Sequence, residues 1–384
     1  MNFALSEEHE LVREAARAFA EEVVAPNAAE IDQTGEFPRE TFRRAGDLGF
    51  AGVAVPEPFG GAGMDTLAYV LVIEEISRAC ANMGVILSVN NSLVCDPIEK
   101  FGTEEQKKRL LAPLARGDML GCFALTEPEA GSDAANQKTR AIKVGEVYRL
   151  RGEKIFITCG AAADLALVFA ATAPELKHRG ISAFLVETSS RGFDRSRHQV
   201  KLGVNASGTV EIVLNDVEVP AGNLLGSEGD GFKIAMATLD GGRIGIAAQA
   251  VGIARSAYEA ARRYSGERRV FGRPIREFQA IRFYLADMAT ELDAARLLTW
   301  KAALRKDEAR RDGGRYTQEA AVAKLYAAEM AQRVTTKALQ IHGGYGYTKE
   351  FPVERNFRDA RITEIYEGTS EIQRVVIARE IFGK

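Results

Sequence analysis

Thiols are few in this chain and they are scattered. Cys80, Cys95, Cys122 and Cys159 are the four cysteines in 384 residues, and none stands in a Cys-x-x-Cys pair. The four histidines, His9, His178, His198 and His342, have no ligand spacing among themselves, so no metal site is indicated. An excess of one charge is missing too. Lys and Arg number 50 against 53 Asp and Glu, a net charge of −3, which leaves no overall basic field of the kind that nucleic acid or an anionic membrane demands. The expected partner is a small molecule or another protein. No uninterrupted apolar run reaches the ~18 residues of a membrane span. Residues 1–8 run into an acidic helix start without the basic and apolar regions or the small-residue cleavage site of a secretion signal. A soluble, cytoplasmic protein of a reducing compartment is expected. The glycines at 60, 61 and 63 lack Gly-x-Gly-x-x-Gly spacing and no βαβ unit surrounds them, which argues against a dinucleotide fold of that kind.

What is present sorts into three parts. At about 150 residues per domain the length suggests two to three domains, with boundaries expected at 1–117, 118–226 and 227–384. The first part is helical. Ser6 can cap a helix whose apolar positions Leu11, Val12, Ala15, Ala16, Phe19 and Val23 recur at helical spacing until Pro26. Residues 37–48 read as a short helix ended by Gly49, residues 56–63 as a loop and residues 66–100 as helix. Thr103 and Gln106 have capping-box spacing for a helix to Leu114. From residue 119 the texture changes. Residues 119–125, 140–144, 147–151, 154–157, 165–170, 182–187 and 210–214 are short runs of β-branched, aromatic and other apolar residues bounded by turn formers. Gly145-Glu146 and Asn215-Asp216 read as hairpin turns. With no helix to cross over between parallel strands, a mostly antiparallel barrel or sandwich is predicted. The helical period then returns over 232–264, 278–311, 317–341 and a last helix, predicting a C-terminal four-helix bundle. The fold class is α+β, with helical domains flanking a β domain. Arg262, Arg263, Arg268 and Arg269 form the densest basic cluster, either a solvated helix end or a contact for phosphates.

Near the C-terminus, Ile365-Tyr366-Glu367-Gly368-Thr369-Ser370-Glu371-Ile372-Gln373 sets a carboxylate at a break in structure. Gly368 permits positive φ, and Ser370 with Gln373 has the spacing of a capping box opening the last helix at Glu371. Helix N–H groups near Glu367 favour its charged form. Enclosure by Ile365 and Tyr366 would raise its pKa instead. Alone, such an acid is most simply a helix-terminus decoration. Likewise Asp240 and Arg243, three residues apart, are most simply an intrahelical ion pair, and the strand exit Cys122-Phe123-Ala124-Leu125-Thr126-Glu127-Pro128-Glu129-Ala130-Gly131-Ser132-Asp133 a plain connection, though such loops expose N–H groups and hydroxyls to ligands.

These stretches do not stand alone. Together with Phe156-Ile157-Thr158, Leu239-Asp240-Gly241-Gly242-Arg243, Arg268-Arg269-Val270-Phe271-Gly272-Arg273-Pro274-Ile275 and Gln340-Ile341-His342-Gly343-Gly344-Tyr345-Gly346, they resemble the acyl-CoA dehydrogenase family, in the right order and over essentially the whole chain. The pattern is nearest to the short-chain, butyryl type. The resemblance implies FAD held without a covalent bond, its ring against Phe123, Leu125, Thr126, Gly131 and Ser132 and against the strand bearing Phe156 and Thr158. The family commonly has Trp where this chain has Phe156, so an aromatic face is kept and an indole N–H is lost. The far end of the cofactor is expected against a neighbouring subunit's Arg268, Phe271, Gln279, Gln340, Gly343 and Gly344, in a homotetramer, with Thr369 and Glu371 touching it again.

Ser132, Asp240, Arg243, Tyr366 and Gly368 match family positions bordering the acyl-CoA substrate. Glu367 matches the base that takes the α proton while hydride leaves the β carbon for the flavin. Some relatives carry that Glu in the Leu-Asp-x-x-Arg helix, where this chain has Gly242. His342 is expected to be a packed residue and not a catalytic one. The expected electron acceptor is electron-transfer flavoprotein. The alternative on the same scaffold is an acyl-CoA oxidase or a flavin monooxygenase.

Overall fold

The structure, a computed structural model, describes residues 4–383, so the reading of residues 1–8 lies partly outside the described residues. Ser6 caps α1 (Glu7–Phe19) by accepting a hydrogen bond from His9 N. The chain continues through a wider π-helical stretch, Ala20–Val24, and a 3-10 turn around Pro26 into α2 (Ala28–Thr34). A third helix, α3 (Arg39–Asp47), ends before Gly49, which takes φ 78°. The single helix expected over 66–100 is interrupted. It divides into α4 (Thr66–Ala79), capped by Asp65, and α5 (Ala81–Ser88), because Cys80 adopts an extended backbone. A π-helical stretch, Val89–Cys95, then leads into α6 (Asp96–Phe101). The Thr103–Gln106 capping box is formed from both sides, opening α7 (Glu104–Gln106), which runs on into α8 (Ala112–Ala115).

The central strands are β1 (Gly121–Ala124), β2 (Arg140–Val144), β3 (Val147–Ile157), β4 (Leu165–Ala171), β5 (Ile181–Glu187), β6 (Phe193–His198), β7 (Val210–Pro220) and β8 (Leu224–Leu225). They form one sheet in the order β6-β7-β3-β2-β4-β5-β8, with β1 alongside β4. Gly145-Glu146 is the two-residue turn expected between β2 and β3. The barrel is not formed. The sheet is open, ending on β6 and β8. Parallel pairing of β1 with β4, and of β2 with β4 at Arg140, interrupts the otherwise antiparallel order. Asn215-Asp216 is not a hairpin turn but lies inside β7. There Asp216 takes φ 52° and the strand runs on past it, still paired with β3. The two runs at 147–151 and 154–157 are one strand with a register shift at Gly152.

Strand periodicity explains where this sheet sits. In β4, Leu165, Leu167 and Phe169 join a cluster with Leu110, Leu111, Leu114 and Ile234, while Ala166, Val168 and Ala170 face the other core. Side chains alternate across the sheet, so β4 is buried on both faces between helical layers.

The C-terminal part is built on α9 (Gly231–Glu267), α10 (Gln279–Asp312) and α11 (Thr317–His342), with α13 (Ser370–Phe382) against α11. A shorter helix, α12 (Val353–Arg361), was not anticipated. α9 is the axis of the molecule, packing on α4, α10 and α11. Buried carboxylates of α4 knit these helices together. Glu75 pairs with Arg17 of α1 (2.9 Å) and Arg255 of α9 (2.8 Å), and Glu74 with Arg296 of α10 (2.9 Å). Each charge is matched, as burial demands.

Candidate active site

The turn between α12 and α13 presents Glu367 at φ 51°, a left-handed conformation that costs a non-glycine residue of order 1–3 kcal/mol and persists only where neighbours over-determine it. They do so here. Gln373 Nε2 donates to the carbonyl oxygens of Glu367 (3.1 Å) and Gly368 (2.8 Å), and Lys324 Nζ of α11 donates to Gly368 O (2.7 Å). The Tyr366 hydroxyl hydrogen-bonds Gln249 Oε1 of α9, and Gly368 takes φ 90°. The cap of α13 is one residue earlier than expected. Thr369, not Ser370, accepts from Ile372 N (3.3 Å), and Gln373 is drawn back to the turn instead of closing a box.

The carboxylate points at α9. A methyl group on Gly242 would stand 2.1 Å from Glu367 Oε2 and 2.7 Å from Leu93 Cδ2. Oε2 is buried without a hydrogen-bond partner among the described residues. Of the two opposed expectations for this acid, burial prevails. Desolvation pushes the Glu367 pKa up to about 7, against the pull of Lys324 and Arg243. A carboxylate poised near neutrality, with an unused oxygen in an apolar wall, suits proton abstraction.

One turn along α9, Asp240 and Arg243 do form their intrahelical pair. Asp240 also accepts from Thr317 Oγ1 of α11 (2.7 Å), while Arg243 is buried with its Nε unpartnered among the described residues. The structure thus brings Glu367, Tyr366, Gly368 and Arg243 together, with Asp240 at the margin. Lys324, Gln249 and Leu93 are also part of this site and sequence reasoning passed over them, while Gln373, expected as half of a capping box, holds the turn instead. For Lys324 a signal was available: it is a cation on the Ala320, Ala323, Ala327, Ala331 face of a helix, where periodicity demands an apolar residue.

A second group gathers on the β domain. Ile155 N donates to Thr126 O (2.9 Å), drawing the loop after β1 against β3. Buried Lys154 fastens that loop, donating to Leu125 O (3.1 Å), Glu127 Oε1 (2.8 Å) and Gln137 Oε1 (3.1 Å). On β3 Phe156 sits at φ 60°, between the paired positions Lys154 and Ile157, and is 62% exposed. Thr158 falls in the turn just past β3 and not on the strand. Phe123 packs edge-on against Phe169 (5.0 Å between centroids), Leu125 is buried, and Gly131 and Ser132 are exposed, with nothing within 4 Å of a Cβ on Gly131. A solvent-facing aromatic at a strained position, beside hydroxyls and an open glycine loop, fits a flat hydrogen-bonding ring such as that of a flavin.

A third group lies after α9 and α11. The Arg268 guanidinium stands 5.6 Å from the centre of the Tyr345 ring, which joins its loop to the Gly343-Gly344 turn. Phe271 (φ 49°, 93% exposed), Gln279 and Gln340 are all turned to solvent. Among the described residues no hydrogen bond or ring contact links this group to the β-domain loop. Thr369 is engaged as the α13 cap, and Glu371 is exposed in the first turn. His342 is buried, stacked on Tyr264 (4.3 Å) with Nδ1 at 2.8 Å from Ala338 O, a packed residue.

Comparison with known proteins shows the family. The N-terminal, middle and C-terminal domains of the acyl-CoA dehydrogenase family match residues 6–118, 122–217 and 229–382. The short-chain specific acyl-CoA dehydrogenase of Clostridium acetobutylicum is 50% identical over 382 residues, all of both chains. The structure of butyryl-CoA dehydrogenase from Megasphaera elsdenii superposes with a TM-score of 0.96 at 46% identity, covering all of both chains. A chain from structural work on the electron transferring flavoprotein of Acidaminococcus fermentans and flavin-based electron bifurcation superposes at 0.97, with 48% identity and full coverage of both. The chain belongs to the acyl-CoA dehydrogenase family, in its short-chain, butyryl-type branch, and is an acyl-CoA dehydrogenase that uses FAD.

Proposed function

We propose that this enzyme converts a short acyl-CoA thioester to the trans-2-enoyl-CoA, with Glu367 as the base for the α proton. The observation that carries the reading is the buried Glu367 carboxylate, facing the bare α-carbon of Gly242 with Oε2 unpartnered among the described residues. Oε2 takes the α proton, and its near-neutral pKa lets it do so from a weakly acidic carbon. FAD, when bound, supplies the acceptor for the β hydride, so that a proton and a hydride leave and a Cα=Cβ double bond remains. The main-chain N–H of Glu367 hydrogen-bonds the thioester carbonyl as negative charge develops there. Tyr366, Gly368, Asp240, Arg243 and Ser132 border the substrate. The bound acyl chain excludes water from Glu367 and raises its basicity further.

Phe123, Leu125, Thr126, Gly131, Ser132, Phe156 and Thr158 hold the flavin ring. Arg268, Phe271, Gln279, Gln340, Gly343 and Gly344 reach a neighbouring subunit's cofactor in a homotetramer, with Thr369 and Glu371 contributing near the turn. A guanidinium at Arg268 suits a diphosphate. Short chain length is supported by the names of the clostridial and Megasphaera proteins. The Acidaminococcus neighbour supports electron transfer flavoprotein as the acceptor. A cytoplasmic location completes the reading, and among the described residues no helix is long and apolar enough to cross a membrane.

The test is anaerobic bleaching of the flavin by butyryl-CoA in the Glu367→Gln variant. A rate lower by ~10²-fold or more, with FAD and thioester still bound, is expected of a lost general base. Near-normal bleaching would remove Glu367 from the role. Sedimentation showing an FAD-saturated monomer would remove the shared cofactor site. Rapid reoxidation in air while product is bound would favour an oxidase.

A further inference from the structure

Lys324 is a buried ammonium group with no carboxylate in contact. It is 0% exposed, among the described residues no Asp or Glu oxygen lies within 4 Å of its Nζ, and the hydrogen bond it makes is to Gly368 O (2.7 Å). Among the described residues every other buried Lys has a carboxylate partner: Lys154 has Glu127 (2.8 Å) and Lys306 has Asp96 (3.0 Å). A desolvated cation without a counter-ion is costly, and it is kept here at the carbonyl that follows Glu367. The same helix presents alanines at 320, 323, 327, 328 and 331 to the core, so an apolar residue at 324 would continue the face at no electrostatic cost.

We propose that Lys324 is a positioning residue for the reaction: it clamps the Glu367-Gly368 turn and supplies the positive potential that keeps the Glu367 carboxylate ionised inside an apolar pocket. This rests on Glu367 being the base. The charged groups around Lys324 are Glu367 on the turn, Arg243 on α9, Glu364 before the turn and Glu371 on α13, and Tyr69 and Tyr366 also feel Glu367. Of these, Arg243 is shared with Asp240, and Lys324 is the stronger of the two cations acting on Glu367. Burial lowers the Lys324 pKa to about 8, with Glu367 the largest opposing influence. The two groups titrate as a pair: losing the ammonium charge makes the carboxylate harder to ionise, so protonation of Glu367 moves to higher pH.

The experiment uses the FAD-loaded enzyme with Lys324→Met, Lys324→Arg and Lys324→Gln. Flavin bleaching by butyryl-CoA is followed across pH 5.5 to 9.5, alongside melting temperature and FAD content. In Lys324→Met the acidic limb of the rate profile should move up by about one unit or more, so that the rate falls most near neutrality and recovers in alkali. Lys324→Arg should restore the wild-type profile. Lys324→Gln keeps a donor for Gly368 O without the charge, and it carries the test if Lys324→Met does not fold. It should share the alkaline shift. Infrared titration of the Glu367 carboxyl band, assigned by its disappearance in Glu367→Gln, reads the same shift without turnover and stands whether or not Glu367 proves to be the base. A uniform loss of rate at every pH, or a Lys324→Gln protein whose Glu367 titrates as in the parent, would overturn the proposal and leave Lys324 a structural clamp.

Discussion

Gly242 on the central helix and Glu367 on the C-terminal turn meet so closely that a single methyl group on the glycine would stand 2.1 Å from the carboxylate Oε2. Nothing but hydrogen fits there unless Glu367 moves. Gly242→Ala should therefore fold, retain FAD and lose about 10²-fold in flavin reduction, the cost of misplacing a reacting group by roughly 1 Å. Because the two positions border one space, Gly242→Glu combined with Glu367→Gly should recover part of the activity lost in Glu367→Gly alone. Anaerobic reduction rates of the three proteins decide it. An unaffected Gly242→Ala enzyme, or a double variant no faster than Glu367→Gly, would count against the shared geometry.

The raised pKa of Glu367 has a consequence for stability. A glutamate released by unfolding titrates near 4.5, whereas in the fold burial pushes this one up to about 7. Its contribution to stability is thus fully present below pH 4.5 and is lost as pH rises through 7. Glu367→Gln has no charge to bury. Its stability relative to the parent should be lowest below pH 4.5 and should climb by about 1–3 kcal/mol between pH 4.5 and 8. Denaturant titrations at both ends of that range test this, and a difference independent of pH would contradict it.

How far this site was legible follows from the range of the interactions involved. Glu367, Tyr366, Gly368, Asp240 and Arg243 belong to local motifs that read alone as a helix terminus and an intrahelical ion pair, and it is the family resemblance that implies their roles. The helical periods located α9, α10 and α11 to within a few residues. Hydroxyls stand at both Thr369 and Ser370, and local spacing could not say which one caps α13. β6 was invisible because Phe193–His198 is a charged, largely exposed edge without apolar alternation. Asn215-Asp216 has turn chemistry, but the chain spends it on a positive-φ residue inside β7. Whether the sheet closes depends on pairings such as β1 with β4, over 40 residues apart, which no local pattern encodes. Lys324 was missed for a simpler reason: the residues sharing its helix face are alanines, and its partner carbonyl is 44 residues away.

Phe156 offers a test of strain kept for ligand binding. It is a non-glycine residue at φ 60° whose side chain is mostly in solvent, so removing the ring forfeits little packing while glycine relieves the backbone. Phe156→Gly should leave the flavin-free protein as stable as the parent or up to about 1 kcal/mol more so. FAD affinity should fall in the same variant. Urea denaturation of the apoprotein and fluorescence titration with FAD read the two separately. Loss of apoprotein stability with unchanged FAD affinity would show that Phe156 serves the fold and not the cofactor.

The loop that leads from β1 towards β2 is held by a buried cation. Lys154 is wholly buried and its ammonium group holds Leu125 O, Glu127 Oε1 and Gln137 Oε1, while Glu127 accepts from Lys138 N (2.5 Å) and Thr139 N (3.1 Å). Both ends of the loop from 125 to 139 are thus tied to one cation. Lys154→Met leaves the Glu127 carboxylate buried beside two N–H donors and no counter-charge, a change that typically costs about 3–5 kcal/mol. The loop that carries Thr126, Gly131 and Ser132 should loosen, so FAD should be lost on dilution or dialysis more readily than in the parent. Pairing it with Glu127→Gln removes the stranded charge and keeps an oxygen for the two N–H groups. The double variant should regain much of the stability, since replacing a buried ion pair whole is often close to neutral, yet recover less of the FAD retention because Leu125 O and Gln137 remain untethered. Thermal melts of apoprotein and holoprotein, with bound flavin measured by absorbance after dialysis, separate the two effects. A Lys154→Met protein within 1 kcal/mol of the parent and fully loaded with FAD would show that the loop is positioned by its other contacts.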